Sequence, residues 1–178
     1  MDILDMSIPA VKLLVPHLHL DERGCFVEVF NKRTLAIRGI AFDGVQDNES
    51  ISFQGVIRGL HYQTFPFEQA KLVTCVQGAI FDVAVDIRRD SPTFGQYVSA
   101  VLTCGNRFQL FIPRGFAHGF CALSENATVS YKCDGYYDPQ SEKGVRFDDP
   151  DIDIEWPEME VPYRVSPKDM SLPFLKNI

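Results

Sequence analysis

The chain has 178 residues, a net charge of −7 at neutral pH and an apolar fraction of 46%, which together indicate one globular domain over residues 1–178. The acidic balance disfavours non-specific binding to nucleic acid or to anionic membrane surfaces, although a pocket can still be locally basic. The acidic start at residues 1–5 does not resemble a signal peptide, and we find no apolar run of membrane-spanning length.

The five cysteines favour a reducing, cytoplasmic location. Their number is odd, and no two are spaced as in a disulfide framework or a thiolate zinc site. We therefore expect them to serve as small apolar side chains.

The first part of the chain contains short strands and one helix. His17 and His19 share a face of any strand there, but a surface position is favoured over a metal site for such an isolated pair. A short helix is predicted after Asn31, which suits the N-cap, and Gly39 suits the position just past its end.

Residues 45–52 alternate so that Gln46, Asn48, Ser50 and Ser52 share one strand face. Two interpretations of this neutral hydrogen-bonding face remain open. It is either a polar outer surface or a set of amide and hydroxyl groups that reads a flat, multiply hydrogen-bonding ring.

Residues 55–63 form a predicted strand around which the rest is organised, because this segment carries Arg58, His61 and two glycines. Arg58 and His61 would point to opposite faces of a regular strand. A bulge at Gly59, where glycine weakens a strand, would bring both side chains to one face. A buried strand with a core histidine and a surface arginine is the alternative.

Residues 71–87 are predicted to form a hairpin about the two-residue turn Gln77-Gly78. In that register Lys71 and Asp82 are diagonal neighbours on a largely apolar face. Charged groups on such a face should be paired or have a function.

The remaining pattern indicates an all-β sandwich or barrel. Strands recur at regular spacing up to Cys133, with turn signals between them and almost no helical periodicity. Near the end, Ser166 and Pro167 predict a short helix that contains Asp169 in its first turn.

Ten segments, in order along nearly the whole chain, resemble the dTDP-4-dehydrorhamnose 3,5-epimerase family of sugar-nucleotide epimerases. The resemblance implies an all-β fold, the cupin-like double-stranded β-helix or jelly roll, with a few short helices. It implies no cofactor and no metal. The matching segments are residues 21–24, 46–50, 55–63, 69–73, 81–86, 91–95, 112–120, 131–132, 136–137 and 168–169.

The resemblance also implies a role for individual residues. His61 matches the catalytic base and Asp169 its partner carboxylate. Tyr131 matches the catalytic acid on the far side of the sugar ring, and Lys71 the group that stabilises charge on the C4 oxygen. The implied substrate-binding residues are Asp82 beside the lysine, His118 in the sugar pocket, Arg58 at the diphosphate, and Gln46, Asn48 and Tyr137 at the nucleotide.

Arg23, Phe26 and Glu28 match positions that the neighbouring subunit supplies in this family. The resemblance therefore implies a homodimer with exchanged N-terminal strands and a dTDP-4-keto sugar as substrate. It does not decide between inversion at C3, at C5 or at both centres.

Two other classes of protein share the expected fold. A metal-dependent cupin usually carries a His-x-His pair on a strand, whereas this chain has His61-Tyr62-Gln63 at that place. A non-catalytic sugar-binding jelly roll would have no need of His61, Lys71, Tyr131 and Asp169 together.

Overall fold

Fourteen strands and three short helical segments make up the chain in a computed structural model that describes residues 1–178. The strands are β1 (Asp2–Asp5), β2 (Lys12–Val15), β3 (Leu18–Asp21), β4 (Gly24–Val27), β5 (Gln46–Phe53), β6 (Val56–Gln63), β7 (Lys71–Gln77), β8 (Ala79–Asp86), β9 (Tyr97–Thr103), β10 (Gln109–Ile112), β11 (Phe116–Ala122), β12 (Asn126–Cys133), β13 (Glu142–Gly144) and β14 (Arg164–Val165). The helices are α1 (Lys32–Ile37) and α2 (Pro167–Met170), and a 3₁₀ turn spans Leu175–Asn177.

Two antiparallel sheets pack face to face. The first has the order β1-β2-β10-β7-β12-β5, and the second has the order β13-β6-β11-β8-β9, with β14 added parallel to β6. Strands β3 and β4 form a separate two-stranded sheet. This sandwich with few helices confirms the all-β jelly-roll prediction.

The central core lies between the two sheets, and each sheet also buries part of its outer face. Val73, Leu110 and Val129 of the first sheet pack with Ile80 and Phe120 of the second. The outer face of the first sheet is covered by α1, and that of the second by the C-terminal segment around Trp156. Because both faces are covered, β8 is almost entirely buried.

The hairpin predicted for residues 71–87 is wrong. Strand β7 lies between β10 and β12 in the first sheet, whereas β8 lies between β11 and β9 in the second. The Gln77-Gly78 turn, with Gly78 at φ 75°, connects the two sheets. Each strand thereby pairs with two neighbouring strands, which an isolated hairpin could not achieve. Lys71 and Asp82 consequently face each other from opposite sheets.

Both predicted helices are confirmed together with their caps. The Asn31 side chain accepts a hydrogen bond from the N–H of Thr34 at 3.2 Å, and Gly39 follows α1 with φ 79°. Ser166 caps α2 by accepting from the N–H of Asp169 at 3.0 Å. None of the helices combines the length and the apolar character that crossing a bilayer requires.

The two early histidines are on the surface, as the sequence favoured. His17 lies 3.1 Å from a carboxylate oxygen of Asp2, and His19 is exposed. All five cysteines are free thiols, and three of them are buried.

Candidate active site

A bulge in β6 brings Arg58 and His61 into one cavity. On the neighbouring strand β11, His118 pairs with His61 and Phe120 pairs with Arg58. Two residue steps along β11 therefore correspond to three along β6, which defines the bulge. Gly59 lies at this irregularity with φ 110°, a value that favours glycine. Both side chains line the same cavity, so the bulge at Gly59 that a shared site requires is present, and this interpretation holds over that of a core histidine with a surface arginine.

Two neighbouring cavities, of about 540 and 300 Å³, share His61, Lys71 and Tyr131 as common wall residues. Other polar residues of the larger cavity are Ser50, Arg58, His118, Arg164, Ser166, Lys168 and Asp169. Those of the smaller cavity are Gln46, Asn48, Gln63, Gln69, Tyr137 and Glu142. Nine of the predicted site residues therefore line this pair of cavities, and Asp82 lies directly behind His118.

His61 and Asp169 form a hydrogen-bonded pair, with Nε2 of the imidazole 2.8 Å from Oδ1 of the carboxylate. The other carboxylate oxygen accepts the N–H of Gly59 at 3.1 Å, so the same bulge also positions the aspartate. Burial raises the pKa of Asp169, but the hydrogen bonds from His61 and Gly59 and the charge of the imidazole outweigh this effect and lower it. Asp169 is thus a buried carboxylate held between the His61 imidazole and the backbone of β6.

A second such pair joins His118 to Asp82, with Nε2 and Oδ1 2.7 Å apart. Burial lowers the pKa of His118, and the nearby Asp82 charge offsets this only in part. His118 is therefore neutral at pH 7. The second oxygen of Asp82 is buried and has no hydrogen-bond partner.

Tyr131 and Lys71 reach the cavities from the first sheet, opposite the sheet that carries His61. Tyr131 pairs with Val73 on β7, and Lys71 lies two residues before Val73 on the same face. Burial raises the pKa of the Tyr131 phenol, which keeps it protonated. Burial lowers the pKa of Lys71, although Cys133 and Asp82 oppose the effect. The imidazole and the phenol thus project into one space from opposite sheets.

The neutral polar face of β5 points inward, so its interpretation as a polar outer surface is wrong. Gln46, Asn48 and Ser50 are partly buried and Ser52 is buried, whereas the residues between them are exposed. The Gln46 amide donates to Oδ1 of Asn48 at 2.9 Å and accepts the backbone N–H of Tyr137 at 2.8 Å. The amides and the tyrosine ring therefore line one wall of the smaller cavity.

Three charged wall residues were not assigned a role from the sequence. Lys168 lies 2.5 Å from Glu142, which also accepts a hydrogen bond from the Tyr137 hydroxyl at 3.0 Å. Arg164 lies on the short strand β14, which the sequence pattern did not indicate. Lys168 directly precedes Asp169 in a segment that resembles the epimerase family. This was the one sequence signal for any of the three residues.

Arg23, Phe26 and Glu28 line neither cavity of their own protomer. They lie on or beside the β3–β4 hairpin and are exposed. Arg23 pairs with Asp21 at 2.5 Å, and Glu28 accepts a hydrogen bond from Asn31 at 3.1 Å. No group of three His, Cys, Asp or Glu side chains is arranged to hold a metal ion.

The family model described as dTDP-4-dehydrorhamnose 3,5-epimerase matches residues 5–177. An enzyme of that name from Salmonella typhimurium is 48% identical over 178 residues, covering 98% of this chain and 96% of the relative. Another from Neisseria gonorrhoeae is 50% identical, but the chain, 96% of which aligns, spans only 52% of that relative.

A solved structure of an epimerase is similar to this chain over almost its whole length. The dTDP-6-deoxy-D-glucose-3,5-epimerase of Legionella pneumophila, in complex with dTDP-4-keto-L-rhamnose, superposes with a TM-score of 0.95 and 47% identity. The superposition covers 99% of this chain and 94% of that one. By sequence and by structure, the chain belongs to the dTDP-4-dehydrorhamnose 3,5-epimerase family.

Proposed function

We propose that the chain epimerises dTDP-4-dehydro-6-deoxy-D-glucose at C3 and C5 to give dTDP-4-dehydro-L-rhamnose. The observation that carries this proposal is the entry of His61, paired with Asp169, and of Tyr131 into one cavity from opposite sheets. Inversion of a carbon centre requires proton removal on one face of the ring and proton return on the other.

The C4 ketone makes the chemistry accessible. When His61 takes the proton from C5 or C3, the electrons of the broken C–H bond move onto the C4 oxygen as an enolate. An imidazole has an unperturbed pKa of about 6.5, which suits a base at neutral pH. The Asp169 carboxylate on Nε2 holds the ring in place and stabilises the imidazolium that forms.

Lys71 and His118 stabilise the negative charge that develops on the C4 oxygen of the enolate. The Lys71 side chain is partly buried at the cavity wall, where a positive charge acts more strongly on a developing enolate than it would in water. His118 adds a neutral hydrogen-bonding imidazole held by Asp82. Tyr131 returns a proton to carbon from the opposite face, and because no electrons leave the substrate the reaction is redox-neutral.

The walls of the cavities suit a nucleotide diphosphate sugar. Arg58 provides a cation for the diphosphate, while Gln46, Asn48 and Tyr137 offer amide and aromatic groups to the base. The family relatives, and the sugar nucleotide in the Legionella pneumophila complex, support this choice of substrate.

The active unit is a homodimer in the cytoplasm, in which each N-terminal hairpin completes the partner's site with Arg23, Phe26 and Glu28. Exposed apolar side chains support the dimer, since Leu20 is 75%, Phe26 70%, Ile51 64% and Phe53 61% exposed in one protomer. The free thiols support a reducing compartment.

Proton NMR in D₂O tests the reaction with dTDP-4-dehydro-6-deoxy-D-glucose as substrate. We expect deuterium to replace the protons at both C3 and C5. His61→Ala removes the base, so exchange should fall by at least about 10²-fold while dTDP binding stays close to that of the wild type.

Other outcomes have distinct meanings. Exchange at one centre alone would replace the 3,5-epimerase by a single-centre epimerase. Binding of dTDP without any exchange would indicate a non-catalytic sugar-nucleotide protein. Exchange that persists in His61→Ala would remove His61 from the mechanism.

A further inference from the structure

Arg164 places a second arginine beside Arg58 in the larger cavity. Strand β14 runs parallel to β6, and Arg164 pairs with Val56. Val56 and Arg58 lie two residues apart and share a strand face up to the bulge. With strands about 4.8 Å apart and a rise of about 3.3 Å per residue, the Cα atoms of the two arginines are about 8 Å apart.

Neither guanidinium has an acidic partner. Arg58 donates to Oγ of Ser52 at 3.0 Å and to the carbonyl oxygen of Ile51 at 3.2 Å, both of them neutral acceptors. The Arg164 side chain donates to no protein atom, whereas the third cation of this wall, Lys168, is paired with Glu142. Two guanidinium groups without an acidic partner therefore lie side by side on one wall of this cavity, in a chain whose net charge is −7.

A diphosphate matches this arrangement. A guanidinium can bind one phosphoryl group with two parallel N–H donors, but the fork engages one anionic group at a time. Two arginines on one side of a cavity can thus hold the two phosphoryl groups of a diphosphate separately. A single phosphate or an uncharged sugar would leave one of them unused.

We propose that Arg164 is a substrate-binding residue that, together with Arg58, forms a two-arginine clamp on the diphosphate. This inference rests on the proposed function, since it assumes that the ligand is a nucleoside diphosphate sugar. The clamp holds the substrate by its diphosphate, where no bond is made or broken in the epimerisation, so Arg164 affects binding and leaves the proton transfer steps unchanged.

Isothermal titration calorimetry with dTDP and with thymidine tests the clamp on the full chain. Arg164→Gln should weaken dTDP binding by about 10-fold, and Arg164→Lys should restore part of the loss because it keeps the charge without the fork. Thymidine binding should not change. Arg33→Gln is the matched control, since it removes the same charge from the exposed face of α1, outside both cavities.

Kinetics supply the second readout. Arg164→Gln should raise KM in the deuterium-exchange assay with kcat at saturation unchanged. Binding of dTDP by Arg164→Gln that equals the wild type, or an equal loss for dTDP and thymidine, would overturn the clamp. Failure of the wild type itself to bind dTDP would instead overturn the proposed function.

Discussion

Two histidine–aspartate pairs face the larger cavity, and burial distinguishes them. The His61 side chain is 29% exposed and open to the cavity, whereas that of His118 is 8% exposed. Burial lowers the pKa of His118 in spite of its aspartate. The same two residue types thus provide a partly exposed imidazole, for which we propose the role of base, and a buried imidazole that can donate or accept hydrogen bonds.

Asp86 has a different, structural role. It is completely buried at the end of β8 and accepts hydrogen bonds from Arg88 at 2.6 and 2.8 Å, from Ser91 at 2.5 Å and from Thr93 at 2.6 Å. Burial raises the pKa of Asp86, but these donors outweigh the effect and hold it well below its usual range. The carboxylate therefore fixes the turn that leads into β9.

We expect Asp86→Asn to lower the free energy of unfolding by about 2–4 kcal/mol at pH 7, because the neighbouring donors lose a buried anion. Since the folded pKa is depressed, this stabilisation is complete above the unfolded value of 3.8 and is lost as pH falls below it. Urea unfolding at pH 7 and pH 3 should show the gap between wild type and variant narrowing at the lower pH.

The exposed neighbour Asp90 provides the control for this measurement. Asp90→Asn removes the same charge from the same turn and should change stability by less than about 0.5 kcal/mol. A gap between wild type and Asp86→Asn that is equally large at both pH values would contradict the assignment.

At the level of elements, the bulge in β6 connects the fold to the site. It directs Arg58 and His61 to one face and presents the Gly59 N–H to Asp169. A Cβ atom at Gly59 would lie 2.6 Å from the carbonyl oxygen of His118 and 2.7 Å from the Cα of Gly119. Both are backbone atoms of β11, which a substitution cannot displace cheaply.

Gly59→Ala should therefore destabilise the chain by about 2–5 kcal/mol, through backbone strain at positive φ together with the clash. Deuterium exchange should fall as well, because His61 and Asp169 lose their alignment. Gly39→Ala is the matched control: its φ is 79°, but no atom lies within 4 Å of the added Cβ. Gly39→Ala should lower the free energy of unfolding by about 1–2 kcal/mol, measured by thermal or urea unfolding, and should leave deuterium exchange into the substrate intact. Equal costs at the two positions would exclude the contact with β11 as the cause.

At the level of the whole molecule, a single protomer has an incomplete active site if its N-terminal hairpin, β3–β4, completes the site of the partner. The hairpin packs into neither sheet, and its residues are almost all exposed. The exposed residues of the hairpin include the apolar Leu18, Leu20 and Phe26, so we expect the hairpin to be buried when two protomers associate. We call this hairpin the arm.

Mixed dimers test the exchange directly. A heterodimer of His61→Ala with Arg23→Ala/Phe26→Ala, isolated by two different tags, should recover about half of the wild-type activity, because one site then has an intact base and an intact arm. Each homodimer should be nearly inactive. If the arm served its own protomer, both sites of the heterodimer would be impaired and no activity would return. A wild-type/His61→Ala heterodimer controls for the tags and should show half activity in either case.

Local sequence patterns were sufficient to predict several features of the fold and of the site. Alternation placed the β5 side chains on one face, and caps placed the two helices. Gly59 indicated the bulge that a site shared by Arg58 and His61 would need, and β6 contains it. Each of these features depends on neighbours within a few residues, so the sequence by itself determined them.

Long-range pairing was decided only by the tertiary structure. The Gln77-Gly78 turn is compatible with a hairpin, yet β7 and β8 join different sheets, and each lies between two other strands. In this position β8 is almost entirely buried. The tertiary structure also turned the polar face of β5 inward and brought Arg164 and Glu142 to the cavity walls. Burial and pairing across more than a hundred residues, as between His61 and Asp169, depend on how all strands share the core, which no local pattern specifies.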